Sequence, residues 1–145
     1  MTITFFGHSD VIRFDRVLLK NLLTDLIENQ NATLFYVGNQ GGFDRVVLTI
    51  LKELKCIYPH IQYYIVLAYI PVKSGEYDCL NTVYPDGLEN VPKRFAICKR
   101  NDWMIKQADT VVVYVTRGYG GASQFKKLAE KKGKLVINLA NFKKQ

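Results

Sequence analysis

Hydrophobic positions along this chain form short runs of β-branched and aromatic residues, separated by longer stretches in which apolar residues recur every three or four positions. The runs are typical of strands, and the recurrences are typical of amphipathic helices. Because the two alternate, the pattern predicts an α/β fold with a mostly parallel sheet of about five strands and helices on both faces. The predicted strands are 2–6, 33–37, 62–70, 110–115 and 134–139, and the predicted helices are 11–29, 43–54, 93–107 and 124–132.

The helical periodicity also assigns particular residues. In the first helix, Val17 falls on the apolar face, and Ser9 or Asp10 can cap the start. In the helix predicted at 93–107, the residues available for the core are Phe95, Cys98, Met104 and Ile105.

The strand order expected for this sheet is third, second, first, fourth, fifth. In such a sheet, ligands bind at the carboxyl ends of the strands, at the point where the order reverses. That point lies between the first and fourth strands, and glycine-bearing turns follow the first, second and fourth strands. The candidate ligand-binding residues of these turns are Gly7, His8, Ser9, Gly38, Asn39, Gly41, Gly42, Asp44, Arg117, Gly120, Gly121, Ala122 and Ser123.

The turn after residues 110–115 carries the clearest indication of an anion site. A buried-strand pattern runs directly into Gly118, Gly120 and Gly121, and then into helical spacing. Strand, glycine loop and helix together point backbone N–H groups and a helix N-terminus at an anion. The loop is neither a G-x-G-x-x-G fingerprint nor a P-loop, which would end in Gly-Lys-Ser or Gly-Lys-Thr. The pattern therefore indicates phosphate binding without specifying the ligand.

Four polar residues have two interpretations each. His8 could hydrogen-bond a ligand or be tied to local backbone, and neither interpretation is favoured. Asp44 could face a ligand hydroxyl, although capping the following helix is slightly favoured. Arg100 and Asn101 could bind a phosphate and a base edge, but a salt bridge and a structural hydrogen bond are favoured for them.

Length and composition narrow the class of protein. With 145 residues, 48% of them hydrophobic and 23% charged, the chain is expected to form one globular domain over residues 1–145. The longest apolar run, 65–72, is too short to span a bilayer, and the N-terminus lacks a signal-peptide pattern. A cytoplasmic protein without membrane association is expected. The three cysteines lack a C-x-x-C spacing, which predicts buried, reduced thiols and neither a metal site nor another cofactor.

The net charge of +7 is concentrated near the C-terminus. Residues 116–145 contain eight Lys or Arg residues against the single acid Glu130. Such a surface attracts phosphorylated or nucleic-acid partners. A solvated helix face is nevertheless favoured, because no aromatic interleaving or recognition-helix pattern accompanies the lysines. A nucleic-acid partner is therefore not expected.

Five motifs follow one another along nearly the whole chain: F-F-G-H at 5–8, V-G-N-Q-G-G-F-D at 37–44, R-N-D-W-M-I at 100–105, Y-V-T-R-G-Y-G-G-A at 114–122 and K-G-K-L-V-I-N-L at 132–139. Together they resemble the small bacterial SLOG-type proteins. That group is related to DprA and to the Lonely Guy phosphoribohydrolases, and it includes the YpsA-like proteins of Gram-positive bacteria and their phages. The resemblance implies a Rossmann-like three-layer sandwich that binds a nucleotide or nucleotide-derived ligand through Gly7, the 38–42 turn and the 120–122 turn. It also implies a homo-oligomer, a dimer or higher, because relatives associate.

One departure from the Lonely Guy enzymes bears on catalysis. Those enzymes carry a proline-glycine-glycine loop that leads to a catalytic glutamate, whereas here the loop has no proline and position 124 is Gln. A glutamine side chain cannot act as a general acid or base. The expected function is therefore binding, as a sensor or sequestering protein. The alternative is an enzyme of the phosphoribohydrolase or deoxyribosyltransferase type, which acts at a nucleotide N-glycosidic bond.

That alternative needs a carboxylic acid near the glycosidic bond. The candidates are Asp44 in the second glycine turn and Asp86 and Glu89 in the segment 72–92. This segment has no clear period and several turn residues, so it is predicted to be a long loop. Loops of this length in a compact domain often serve as lids or binding loops.

Overall fold

The computed structural model describes residues 1–10, 14–70 and 81–142. Within these ranges one sheet contains six strands in the order β4-β3-β2-β1-β5-β6, and every neighbouring pair is parallel. The predicted order of five strands is confirmed, and a short sixth strand, β4, adds to the edge beside β3. The strands are β1 Thr2–Gly7, β2 Leu34–Val37, β3 Gln62–Val66, β4 Thr82–Val83, β5 Thr110–Tyr114 and β6 Leu135–Asn138.

Helices cover both faces of the sheet and produce the Rossmann-like three-layer sandwich. The α-helices are α1 Arg16–Asn29, α2 Gly42–Ile57, α3 Ala96–Gln107 and α4 Gly121–Lys131, and 3₁₀ turns occur at Leu88–Asn90, Lys93–Phe95 and Leu139–Asn141. None of the helices described by the structure is long and apolar enough to cross a membrane.

Each face of the sheet has its own hydrophobic core. Successive strand residues point to opposite faces, so Phe5 belongs to one core and Phe6 to the other. Helices α1 and α2 pack over the Phe5 face, and α3 and α4 pack over the Phe6 face. In the middle of the sheet, Val111, Val112 and Val113 of β5 are fully buried, as their run of β-branched residues predicts.

Helix α1 begins later than predicted. The pattern placed its start at residue 11 with Ser9 or Asp10 as the cap, but the N-cap is Asp15, whose Oδ1 accepts a hydrogen bond of 3.1 Å from the Leu18 N–H. Aspartate is a preferred N-cap because its carboxylate satisfies an unpaired amide of the first turn. Residues 11–13 lie outside the described ranges. Val17, placed on the apolar face by the periodicity, is 66% exposed, because the buried face is formed by Leu19, Leu23, Leu26 and Ile27.

Helix α3 also begins after its predicted start. Residues Lys93–Phe95 form a 3₁₀ turn, which has three residues per turn and so places its side chains out of phase with the α-helix that follows. Phe95 is 47% exposed, and the prediction that it lies in the core is wrong. Met104 and Ile105 are buried, as predicted.

The strand predicted over 62–70 ends at Val66. Its neighbour β4 lies within the segment predicted as a long loop, and the Leu67 N–H donates to the Val83 carbonyl at 2.8 Å. Residues 72–80 of that loop, including Cys79, lie outside the described ranges. The prediction of buried thiols is wrong for Cys56 and Cys98, which are exposed.

Candidate functional site

A cavity of about 370 Å³ lies at the carboxyl ends of β1 and β5, where the strand order reverses. The sequence predicts a ligand crevice at this switch point. The predicted residues that line the cavity are Gly7, His8, Ser9, Asp44, Arg100, Asn101, Arg117, Gly120, Gly121 and Ala122. Residues far apart in the chain thus meet at one edge of the sheet.

The glycines of the first two turns are needed for packing. A Cβ placed on Gly7 would overlap the Phe43 ring, and one on Gly41 would lie 2.6 Å from the Ser9 Cα. Gly41 also has a φ of +93°, which side chains rarely adopt. The Gly42 N–H donates to the Ser9 carbonyl at 3.0 Å, so α2 is fastened to the turn after β1.

Most of the second turn supports the cavity without lining it. Gly38, Asn39, Gly41 and Gly42, which the sequence proposed as ligand contacts, do not line it. A Cβ on Gly38 would lie 2.9 Å from Asp44 Oδ2 and 3.2 Å from the Arg100 guanidinium carbon. This glycine lets a carboxylate and a guanidinium approach the same stretch of backbone.

The glycines of the third turn face open space. No atom lies within 4 Å of a Cβ placed on Gly120 or Gly121. Gly120 is the N-cap of α4 with a φ of 95° and provides no side-chain hydrogen bond to the helix. The first N–H groups of a helix have no partner within it, so these amides are available to an anion at the cavity edge.

Arg100 places a positive charge beneath the cavity. Its residue is 2% exposed, and its guanidinium donates to the Asn101 Oδ1 at 2.7 Å, the Asn39 Oδ1 at 3.0 Å and the Val66 carbonyl at 3.0 Å. The expected ion pair is not formed, since no carboxylate oxygen of the described residues lies within 4.0 Å of this guanidinium. Burial lowers the Arg100 pKa, while Asp44 opposes that shift. Among the described residues, all three oxygens that accept hydrogen bonds from this guanidinium are neutral.

Asp44 lies in the first turn of α2 and is the one carboxylate among the described residues that lines this switch-point cavity. Its Oδ2 accepts a hydrogen bond of 2.9 Å from the Gln40 N–H. Burial raises the Asp44 pKa to about 6, although the Gln40 bond and the Arg100 charge both act in the opposite direction. A carboxyl group with this pKa exchanges its proton close to neutral pH.

His8 is tied to backbone and also lines the cavity. The side chain is buried, and its Nε2 accepts a hydrogen bond of 3.1 Å from the Thr116 N–H. Burial lowers the His8 pKa, the Arg117 charge lowers it further, and Asp10 acts to raise it. Accepting this bond requires an unprotonated Nε2, as in a neutral imidazole that carries its proton on Nδ1.

Arg117 forms the rim of the cavity. Its two terminal nitrogens donate to the two Asp10 carboxylate oxygens at 3.2 and 3.1 Å, and its guanidinium carbon lies 5.2 Å from the centre of the Tyr119 ring. The same pair lowers the Asp10 pKa. A fork that holds a carboxylate in this way also fits a phosphate.

The other candidate acids lie elsewhere. Asp86 lines a separate cavity of about 230 Å³ beside Trp103, and Glu89 lines neither that cavity nor the one at the switch point. Ser123 lines a third cavity, on the outer side of the Gly118–Gly121 loop. Of the three proposed acids, Asp44 alone reaches the switch point.

Sequence reasoning missed several residues of the site. Gln40 lies within the second glycine turn and Gln124 follows the third by three residues, but both side chains carry no charge, so only this proximity to the turns could have marked them. Apolar side chains at the cavity also went unassigned, because periodicity marks a residue as buried without saying what it covers. These residues are Phe5, Phe6, Ile97, Cys98, Met104 and Phe125.

Asn138 supports the site from β6. Its Oδ1 accepts from the Val115 N–H at 3.1 Å and from the Ala140 N–H at 3.1 Å, while its Nδ2 donates to the Val115 carbonyl at 3.0 Å. The end of β5, from which the third glycine turn departs, is thereby fixed. An asparagine at the end of a predicted strand is a signal for a local cap, but its partner, Val115, is distant in sequence.

No protein-family model matches this chain, and the comparison with curated proteins finds no match. The fold and the cavity define the class of protein. It is a Rossmann-like α/β protein with a candidate ligand cavity at the switch point of its sheet. Among the described residues no cluster of three or more His, Cys, Asp or Glu side chains could hold a metal ion.

Proposed function

We propose that this protein binds a nucleotide or nucleotide-derived ligand at the switch-point cavity and acts as a sensor or sequestering protein of the SLOG type. The observation that carries the proposal is the union, in one cavity of about 370 Å³, of the open glycine edge at the start of α4 and the buried Arg100. This volume is within the range of small-molecule sites.

The two sides of the cavity suit the two parts of a nucleotide. The first N–H groups of α4, which have no partner within the helix, favour a phosphate, and Arg117 at the rim adds a guanidinium. Ile97, Met104 and Phe125 offer an apolar surface for a base. Asn101 and Gln40 supply amide groups that can hydrogen-bond a base edge or a sugar hydroxyl.

A second candidate function is cleavage at the N-glycosidic bond of a nucleotide. The observation that favours it is the Asp44 carboxyl group, which lines the cavity and has a pKa of about 6. General acids and bases work best with a pKa near the operating pH. Gln124 cannot assist, so Asp44 would be the proton donor in this scheme.

Mass spectrometry of the small molecules released from freshly purified protein distinguishes the two functions. The released compound is then incubated with the protein and measured again. Recovery of an intact nucleotide both times supports binding without turnover. Conversion to a free base and a sugar phosphate supports the enzyme, and the Asp44→Asn variant should then retain binding and lose conversion. Absence of any nucleotide, together with no affinity for added nucleotides, would refute both.

The glycine edge is tested by Gly121→Asp. A side chain here meets no atom within 4 Å, so the fold should tolerate it, but a carboxylate would repel a bound phosphate. The matched control is Gly121→Asn, which adds the same bulk without the charge. Loss of nucleotide affinity in the Asp variant, with most affinity retained in the Asn variant, is the expected result. Equal affinities for both variants and the wild type would place the phosphate elsewhere.

A further inference from the structure

Two polar side chains of the switch-point cavity, Asn101 of α3 and Asp44 of α2, have orientations that their neighbours fix. Both lie beside the Arg100 guanidinium. Its Nε is 2.7 Å from the Asn101 Oδ1. It also borders the same space as Asp44, since a Cβ placed on Gly38 would lie 3.2 Å from the guanidinium carbon and 2.9 Å from the Oδ2 of that aspartate. Asn101 and Asp44 therefore reach neighbouring parts of one cavity.

The amide of Asn101 presents a donor to this cavity. A guanidinium has only N–H groups to offer, so the atom that faces the Arg100 Nε must be the amide oxygen of Asn101. The amide nitrogen, Nδ2, is thereby left for another partner, and it makes no hydrogen bond within the described part of the chain. It is not enclosed, because Arg117 Nε is the one side-chain nitrogen or oxygen of the described residues that is both buried and without a partner. The Asn101 Nδ2 is therefore open to the cavity.

Asp44 presents an acceptor. Its Oδ2 accepts the hydrogen bond of 2.9 Å from the Gln40 N–H, which holds the carboxyl group at the start of α2. Its Oδ1 makes no hydrogen bond with the described residues, and it too is absent from the buried atoms that lack a partner. A carboxylate only accepts hydrogen bonds. A ligand group that occupies this position must therefore donate.

The face of α3 that carries Asn101 also provides an apolar wall for a planar ring. Ile97, Asn101 and Met104 follow one another at intervals of four and three residues, which places them on one side of the helix, and all three line the cavity. Proteins read a base through apolar contact with its faces and hydrogen bonds to its Watson–Crick edge. A base packed against Ile97 and Met104 thus has its edge beside the Asn101 amide.

From this arrangement we infer that the base of the ligand is guanine, and that Asp44 and Asn101 together select it. Along one edge guanine has two adjacent donors, N1–H and the 2-amino group, next to the acceptor O6. The donors match the Asp44 carboxylate, and O6 matches the Asn101 Nδ2. Adenine and cytosine place a donor where guanine has O6 and an acceptor where it has N1–H, and uracil lacks the second donor. The inference rests on the proposed nucleotide-binding function and names the class of nucleotide.

Isothermal titration calorimetry of the wild-type protein at pH 7.5 tests the inference with the 5′-monophosphates of guanosine, inosine and adenosine. At this pH the Asp44 carboxyl group, with a pKa of about 6, is ionised. Inosine keeps O6 and N1–H and lacks only the 2-amino group. The guanosine probe should bind roughly tenfold to a hundredfold more tightly than the inosine probe, because it makes one more hydrogen bond to a charged group. The adenosine probe should also bind more weakly than the guanosine probe.

Asp44→Asn should reverse the selection at position 2 of the base. The new side chain keeps an oxygen for the Gln40 N–H and turns an amide donor toward the cavity. The ratio of guanosine to inosine affinities should then fall to about one or lower. Xanthosine 5′-monophosphate, which has a carbonyl group at position 2, should become a tighter ligand than the guanosine probe.

Asn101→Asp is the matched control. The carboxylate can pair with Arg100, so the fold should tolerate the change, but the donor to O6 is lost. Guanosine and inosine both carry O6, so both probes should weaken while the ratio between them is preserved.

Equal affinities for the guanosine and inosine probes in the wild type would overturn this inference and leave the proposed function intact, and so would tighter binding of the adenosine probe. A wild-type ratio in Asp44→Asn would also overturn it. If neither these probes nor the cytidine and uridine monophosphates bind, the proposed function is refuted, and this inference with it.

Discussion

The Thr116 N–H donates a hydrogen bond of 3.1 Å to Nε2 of His8, a residue 108 positions earlier in the chain. This bond joins the turn after β1 to the turn after β5, the two strands that meet at the switch point. It requires an unprotonated Nε2, because an imidazolium has only donors to offer. The buried His8 side chain therefore sets the relative position of the two turns in its neutral form.

We expect His8 to be the Nδ1–H tautomer at neutral pH. Because its pKa is lowered in the folded protein, its contribution to stability is present above the ordinary value of 6.5 and is lost as the pH falls through the folded pKa. The ¹⁵N shifts of the ring report the tautomer, and urea unfolding at several pH values reports the stability. His8→Gln supplies an amide oxygen that does not titrate, so this component of acid destabilisation should vanish. An Nε2–H tautomer would contradict the assignment.

Asp44 should have the opposite effect on the free energy of unfolding. Its pKa rises from 3.8 to about 6 on folding, so its favourable contribution is present at low pH and is lost as the pH rises through about 6. Asp44→Asn keeps an acceptor for the Gln40 N–H and removes the titration. The stability gained by this variant should thus be larger at pH 7.5 than at pH 4.5, as measured by urea unfolding. The same gain at both pH values would show that Asp44 titrates normally.

Two glycines of the site should respond differently to alanine. Gly7→Ala should destabilise the fold by about 1–3 kcal/mol, because the new Cβ would overlap the Phe43 ring. That ring cannot move freely, since its centre lies 5.4 Å from that of Phe14 and 6.3 Å from that of Tyr114. Gly121→Ala faces open space and should leave the stability within about 0.5 kcal/mol of the wild type. The urea unfolding midpoints of the two variants measure these losses of stability. Equal losses in Gly7→Ala and Gly121→Ala would contradict the prediction.

The ion pair between Asp10 and Arg117 should compete with a bound phosphate. If the ligand uses the Arg117 fork, Asp10→Asn frees that fork and should raise the affinity for a nucleoside monophosphate. Arg117→Ala should lower the affinity, and neither variant should unfold the protein, because an exposed ion pair contributes little to stability. Calorimetric titrations of both variants measure these changes. Wild-type affinity in both Asp10→Asn and Arg117→Ala would show that Arg117 is not part of the ligand site.

Local patterns were sufficient to predict much of the fold. The uncharged run 110–115 and the recurring apolar positions of α2 have periodicities that depend only on neighbouring residues, and both elements form where they were expected. Errors arose where a cap or a 3₁₀ turn shifted the phase. Asp15 moved the start of α1, and Lys93–Phe95 exposed Phe95. Both effects depend on a few hydrogen bonds that hydrophobicity does not encode.

For the site, the sequence by itself determined which turns meet. The strand order places the turns after β1 and β5 side by side, and their glycines and polar residues are properties of the local sequence. Only the tertiary structure decided what each residue does there. The space beside the Gly7 Cα is filled by the Phe43 ring, whereas that beside Gly121 is open. The Asp44 pKa rises to about 6 because the packed fold removes water from its carboxyl group. The physical reason is that steric closure and desolvation depend on atoms brought close by folding, many of them far apart along the chain.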